Sequence, residues 1–464
     1  MEGGTPRIGS LGEEGQTTIE LVLPLLLLLS VLIAFAMVIP MLSLTKTLAL
    51  AAGLVVFILC FVSTEICLYV LIFSMLLSPE FIVGSTAGSS MGRGVTLRLD
   101  DFLLVIIAFG WLARMAINKD LGLFLRTPLN RPIAFYIIIC LVSTLIGALF
   151  GRVHLKTGFF FVLKYFEYII VFFMVANHIK DRGQARRYLW AMLFTCVIVS
   201  IIGIAQVPGG GRVSAPFEGE VGEPNTFGGY LVFMISLAAG LLITAGPPAR
   251  KFLYLSLIVL FAVPLFYTQS RSSYLAAIPA FLTFVVISKE KLWLILAALV
   301  LALALPFLAP SVTKERIKYT FTQGAKRRDV VKVAGVKLDT STSARLISWG
   351  DAIRDSAKHP LLGFGVTGYR FVDAQYVRVY TETGTIGLLA FFLLMYAVLK
   401  QARSSYEASR DAFEKGLSMG FLAGFIGLLF HGLGANTFII VRIMEPFWFT
   451  AALVTMLPRL PERE

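Results

Sequence analysis

The chain has 464 residues, 57% of them hydrophobic and 15% charged, with a mean hydropathy of +0.81, which excludes a soluble protein of ordinary composition. Its formal charge of +13 is spread over short loops between apolar runs, a distribution that positive-inside topology produces without a nucleic-acid partner. Cys60, Cys67, Cys140 and Cys196 all fall inside apolar runs, so they form no extracytoplasmic disulfide framework and no zinc site, and they read as helix-packing residues.

A polar tail, residues 1–20, precedes the first apolar run. That run is too long for a signal-peptide core and lacks a basic flank, so no cleaved targeting peptide is expected. Runs long enough to span, or nearly to span, a bilayer occur at about 14 places: 21–42, 47–63, 66–79, 101–117, 132–150, 158–178, 189–207, 225–244, 252–268, 273–288, 292–309, 382–399, 416–433 and 436–457. Because the third is short and pairs with the second, the expected architecture is an all-α polytopic membrane protein of about 12–14 transmembrane helices. The divisions are a cytoplasmic tail 1–20, transmembrane helices 21–309, a large periplasmic loop 310–381, transmembrane helices 382–457 and a cytoplasmic tail 458–464.

Basic clusters fall on alternate loops, at Arg114 to Arg131, Lys180 to Arg187, Arg250 with Lys251, Lys289 with Lys291, and Lys400 to Lys415. Assigning them all to the cytoplasm puts both termini inside. The loop from Pro310 to Thr381 then lies outside although it holds 13 Lys and Arg against six Asp and Glu. Long loops translocate largely regardless of charge, and a basic outer surface suits either an anionic substrate or lipid headgroups. No P-loop, dinucleotide fingerprint, HExxH helix or internal repeat is present.

Within this frame the polar residues are few. Arg271, in LFYTQSRSSYLAAIPA, sits at an outer turn between two apolar runs. Its guanidinium fork suits phosphate oxygens, of a substrate or of a lipid headgroup. In SARLISWGDAIRDSAKHPLLGFG, Ser341 or Ser343 caps a helix running to about Ala357, with Arg345, Trp349 and Ala352 on one face and Asp351 with Asp355 on another. An amphipathic helix lying on the membrane has the same pattern. His359, before Pro360, fits a helix end better than a base.

Gly363, Gly365 and Gly368 permit tight backbone geometry or close ligand approach. Asp373, Tyr376, Arg378, Tyr380 and Glu382 follow. Arg378 and Glu382 are spaced for an i,i+4 pair. Asp373 has no such neighbour and is a candidate base. Asn225 opens a helix at Pro224, and Arg442 with Glu445 fits a buried i,i+3 pair in the last run.

In order along the chain, EPNTFGGYLVF, QSRSSYLAA, ARLISWGDAIRDSAKHPLLGFGVTGY and DAQYVRVYTETGTIGLLAFF resemble the O-antigen ligase and polysaccharide polymerase superfamily, from roughly the fourth run to the end. The resemblance implies a GT-C-type glycosyltransferase of the bacterial inner membrane. Its donor is an undecaprenyl-diphosphate-linked glycan, transfer occurs on the periplasmic side, and no metal, cofactor or nucleotide sugar is needed. It implies that Arg271 and Arg345 hold the donor diphosphate. Where ligases of the family show His-Asn, this chain has Asp373 and Ala374, closer to the exopolysaccharide polymerase branch.

The expected function is polymerisation of lipid-linked repeats into exopolysaccharide or O-antigen. Arg271, Arg345 and Asp373 are the catalytic candidates, and Trp349, Tyr376, Arg378, Glu382 and Asn225 the substrate-binding ones. The partners are lipid-linked donor and acceptor and the membrane, with flippase and chain-length regulator proteins as candidates. The alternatives are a ligase moving finished glycan to a lipid A core or protein, and a transporter or flippase for lipid-linked sugars.

Overall fold

The computed structural model describes residues 63–82, 96–98, 101, 103–108, 125–217, 222–289, 291–308, 310–322, 332–333, 336–337 and 340–461, with scattered positions between 51 and 59. The tail 1–20, the run 21–42, much of 47–63 and the end of 101–117 lie outside the described residues, as does Cys60. Two compact units divide the chain, residues 1–67 with 105–123 and residues 68–104 with 124–464. The first is described only in part, and what is described is almost all helical. The site lies within the second.

Among the described residues the continuous α-helices are α1 Thr64–Leu77, α2 Asn130–Leu149, α3 Leu155–His178, α4 Arg182–Gln206, α5 Pro224–Thr244, α6 Pro248–Tyr267, α7 Arg271–Ile287, α8 Lys291–Leu308, α9 Ser311–Thr322, α10 Thr340–Ser356, α11 Gln375–Glu407, α12 Ala412–His431 and α13 Val441–Met456. Two short hairpins, Glu80–Ile82 with Thr96–Arg98 and Lys332–Val333 with Val336–Lys337, interrupt them. Among the described residues seven helices, α2 to α6, α11 and α12, are long and apolar enough to cross a membrane, and α1 and α7 are shorter apolar helices. The fold is therefore an all-α polytopic membrane protein. The runs from 132 onward become helices with ends moved by a few residues, apart from three. α4 begins at Arg182 and not 189, α11 runs from Gln375 to Glu407 and not 382–399, and the run 436–457 is a turn followed by α13.

α5 and α12 form the axis of the bundle, since 78% of each apolar stretch is buried against 22% for α6. Lipid is as apolar as leucine, so such helices gain by close backbone approach. Gly416, Gly420 and Gly424, one turn apart on α12, supply it: a Cβ at Gly240 of α5 would collide with the backbone of Gly416 and Gly420. An aromatic cluster that includes Phe233, Phe421, Phe425, Phe438 and Phe447 extends this core toward α13.

Polar contacts fix the helix ends. Asp181 and Asp411 cap α4 and α12, and a buried ion pair, Arg182 to Glu414 at 2.8 Å, joins those two starts. The starts of α5 and α7 meet elsewhere, where a Cβ at Gly228 would collide with Ser273. Arg442, at the start of α13, donates to the carbonyls of Leu76, Ser78, Pro216 and Phe217, tying α13 to the end of α1 and to the loop before α5.

α11 contains a break. Gly384 has φ +67° and ψ −166° inside an otherwise helical run, which leaves carbonyls of the preceding turn without helical partners. The loop 359–368 fills the gap, with Phe364 N donating to Thr381 O at 3.0 Å, Gly365 N to Glu382 O at 2.8 Å and Thr385 N to Pro360 O at 2.8 Å. Ser143 Oγ of α2 lies 2.7 Å from Glu382 O and 2.5 Å from Leu362 O. The glycine-rich motif therefore serves backbone-to-backbone packing. A Cβ at Gly384 would collide with Leu361, and its φ is one that L-residues rarely adopt. Gly384→Ala should cost about 2 kcal/mol or more, from strain plus collision. A lower midpoint in thermal unfolding of the purified protein checks this, and an unchanged midpoint would contradict the account of the break.

Candidate functional site

The site starts from α10. Three side-chain contacts attach it to the stretch 369–373 that leads into α11. Tyr369 Oη donates to Asp355 Oδ2 at 2.7 Å, Arg370 Nη2 lies 3.1 Å from Asp351 Oδ2, and Arg345 Nη2 lies 2.6 Å from Asp373 Oδ2. The two stretches run antiparallel, because 355, 351 and 345 meet 369, 370 and 373 in turn. Long side chains from both α10 faces thus converge on one partner, although helical spacing alone separates Arg345 from the two aspartates. Arg345 and Asp373 keep 28% and 30% of their side-chain surface exposed, so the pair is open to a ligand. Trp349 Nε1 is buried and has no hydrogen-bond partner among the described residues.

Other candidates have structural duties. Arg378 Nε donates to Glu382 Oε1 at 3.0 Å, confirming the i,i+4 pair, and the guanidinium lies 5.9 Å from the rings of both Phe161 and Phe371. Glu382 Oε1 also accepts from Thr367 N at 3.2 Å, so the pair holds the inserted loop. Tyr376 Oη donates to Leu429 O at 2.5 Å and its ring stacks on Phe392 at 5.7 Å. His359 follows the end of α10 and packs edge-on against Phe364. Desolvation, then the nearby cations of Arg152 and Lys358, holds its imidazole below the ordinary value.

Arg271 is the first residue of α7, half-buried, behind a cap in which Ser270 Oγ accepts from Ser273 N. A cation at a helix N-terminus opposes the helix dipole by about 0.3–1 kcal/mol, a cost that an anion bound there relieves. Gln269, just before it, has φ +51°. Ser272 Oγ donates to Gly434 O at 3.1 Å, and Ser273 Oγ lies 3.2 Å from His431 Nε2. The other ring nitrogen of His431 lies 2.7 Å from Thr437 Oγ1.

The turn 431–438 joins the two halves. On one side it takes Ser272 and Ser273, next to Arg271. On the other, Gln375 N donates to Gly432 O at 3.0 Å, Phe438 N to Gln375 Oε1 at 2.9 Å and Asn436 Nδ2 to Val372 O at 2.8 Å, bracketing Asp373. Arg271, Arg345 and Asp373 are thus attached to one short turn.

Asn225 is joined to the Arg271 side by a residue that no spacing or motif marks. Arg212, exposed in the loop before α5, donates from Nε to Thr268 O at 2.9 Å and from Nη2 to Asn225 Oδ1 at 3.3 Å. His431 likewise reads in sequence as one polar residue near the end of an apolar run.

Residues 255–392 match the family model described as O-antigen ligase. The match covers less than a third of the chain. It supports the O-antigen ligase and polymerase superfamily for the chain, over a shorter stretch than the sequence motifs suggest, and it holds Arg271, Arg345, Trp349, Asp373, Tyr376, Arg378 and Glu382. Asn225, Arg212 and His431 lie outside the matched segment. No curated protein gives a significant match to the chain.

Two outcomes test the α10 attachment. Asp373→Asn removes a part-exposed ion pair of a kind worth about 0–1 kcal/mol, so thermal unfolding should shift little. Asp355 is held below the ordinary carboxylate value chiefly by its hydrogen bond to Lys358, then by that to Tyr369. Its contribution is therefore present above the ordinary value and lost as pH falls through the depressed one. Amide exchange across Thr340–Ser356, corrected for intrinsic rates, should accelerate over that window in the native protein and lose this acid dependence in Asp355→Asn.

Proposed function

We propose that the protein is a membrane glycosyltransferase that polymerises undecaprenyl-diphosphate-linked repeats on the periplasmic face of the bacterial inner membrane, with both termini cytoplasmic. The attachment of the Arg271 turn and the Arg345–Asp373 pair to one turn carries this reading, since polymerisation needs donor diphosphate and acceptor hydroxyl side by side. Arg271 binds the diphosphate. Arg345, paired with Asp373 at 2.6 Å in the resting protein, exchanges one anionic partner for another when the donor arrives. Asp373 then accepts the proton of the incoming hydroxyl.

In the transfer step the acceptor oxygen forms a bond to the anomeric carbon of the donor, and the bond from that carbon to the diphosphate oxygen breaks. The diphosphate leaves with the bonding electrons, and the proton passes to Asp373. Arg271 and Arg345 stabilise the charge that grows on the leaving group. Trp349 and Asn225 are further proposed substrate-binding residues, Asn225 being joined to the turn before Arg271 through Arg212. The family description favours one alternative, a ligase that moves finished glycan to a lipid A core or protein. Flippase and chain-length regulator proteins are the proposed partners.

Arg271→Ala, expressed and inserted normally, should lower polymer formation by about 100-fold or more, the scale of removing a preorganised charge-stabilising group, and Arg271→Lys should restore part of it. Full-length polymer from the alanine variant would remove Arg271 from the mechanism. A deletion strain separates the alternatives by product: single lipid-linked repeats accumulate if the protein is a polymerase, and long lipid-linked chains if it is a ligase. Purified protein that forms no glycosidic bond from lipid-linked repeats would favour a transporter.

A further inference from the structure

His431 ends α12 and is fully buried, out of a substrate's reach, yet both nitrogens of its ring are engaged. Nδ1 lies 2.7 Å from Thr437 Oγ1, and Nε2 lies 3.2 Å from Ser273 Oγ. Ser273 Oγ donates to Ser270 Oγ at 2.8 Å, and a hydroxyl has one proton, so Ser273 accepts from the ring. Nε2 therefore carries the proton, and in the neutral ring Nδ1 accepts from Thr437. The result is one directed chain, from Thr437 through His431 and Ser273 to Ser270, and all four residues are fully buried.

The two ends of this chain belong to different halves of the site. Ser270 is the N-cap of α7, immediately before Arg271, and its Oγ also accepts from Ser273 N. Thr437 lies in the turn 431–438, between Asn436, which donates to Val372 O, and Phe438, whose N donates to Gln375 Oε1. Those two contacts hold the main chain on either side of Asp373. The ring is also packed tightly against α5, where a Cβ at Gly229 would stand 3.0 Å from its Cε1 and 3.3 Å from its Nδ1. Ser272 Oγ, bonded to Gly434 O, ties the same two segments at one point and leaves them a pivot. The imidazole adds a second tie, with a matched donor and a matched acceptor, and so fixes direction as well as distance.

We infer that His431 is a positioning residue of the transfer step, setting Arg271, at the diphosphate, in register with Asp373, at the acceptor hydroxyl, through the cap of α7 and the turn after α12. The inference rests on the roles proposed above for those two residues. Transfer needs the leaving oxygen, the anomeric carbon and the attacking hydroxyl aligned, and a misplacement of about 1 Å costs about 100-fold in rate. Binding of either lipid-linked substrate by itself does not depend on that register. Loss of the ring therefore falls on kcat and not on KM.

Full-length protein in nanodiscs is assayed for chain extension with lipid-linked repeats extracted from the deletion strain, and kcat and KM are measured separately. His431→Phe keeps a ring and loses both hydrogen bonds, whereas His431→Gln keeps one donor and one acceptor. The phenylalanine variant should lose about 30-fold in kcat with KM within about twofold of native, and the glutamine variant should recover to within about threefold of the native rate. Thr437→Val is the milder change, removing the partner of Nδ1 alone. It should lower kcat about fivefold by itself and add nothing in the His431→Phe background, where the chain is already cut. A native kcat in His431→Phe would overturn the inference and leave the polymerase reading intact, as would a loss confined to KM, an equal loss in the phenylalanine and glutamine variants, or additive losses in the double variant. If His431→Phe does not fold, Thr437→Val decides alone, and a native kcat there overturns the inference. A native protein that extends no chain would overturn both.

Discussion

The backbone of α11 sets the terms for the site. A helix entering an apolar slab must satisfy its main-chain groups from within or find partners in neighbouring protein. At Gly384 the helical run is broken, and the carbonyls of Thr381 and Glu382 are satisfied by Phe364 and Gly365 from a loop laid against the helix. That loop lies between α10 and the stretch 369–373, so filling the break also fixes where α10 returns. The break and the Arg345–Asp373 contact are therefore two ends of one constraint.

The second constraint is the turn after α12. Its helix is locked to α5 by three glycines one turn apart, which leaves the turn little freedom. Serines of α7 and the main chain around Asp373 both bind to it. A rigid axis thus carries the candidate groups at one end, in keeping with the proposed reaction, which needs two substrates held in register.

Much of this was legible in the sequence because it is local. Hydropathy marked the spans, since burying about 20 apolar residues leaves a signal in any window of that length. Spacing found the helix that carries Arg345 and the pairing of Arg378 with Glu382. Long-range contacts were hidden. Asp373 has no neighbour at helical spacing because its partner lies across an inserted loop. Gly384 reads as an ordinary glycine until its φ is seen, and the polar start of α11 at Gln375 lacks the hydropathy that marks a span. Arg212 and His431 gain meaning only when α5, α7 and α12 come together at their ends.

Charge placement then explains why the site residues differ in kind. Arg378 and Arg442 are buried and committed, one to a carboxylate and two phenylalanines, the other to four carbonyls, and each holds chain segments together. Arg271, at the start of α7, and Arg345, in a part-exposed pair, keep part of their surface accessible. A cation at a helix start opposes the helix dipole, and an anion bound beside it offsets that cost. In the proposed reaction the leaving diphosphate is such an anion, so the arginines proposed to serve it are ones whose surface the fold keeps partly accessible, whereas those that hold chain segments together are buried.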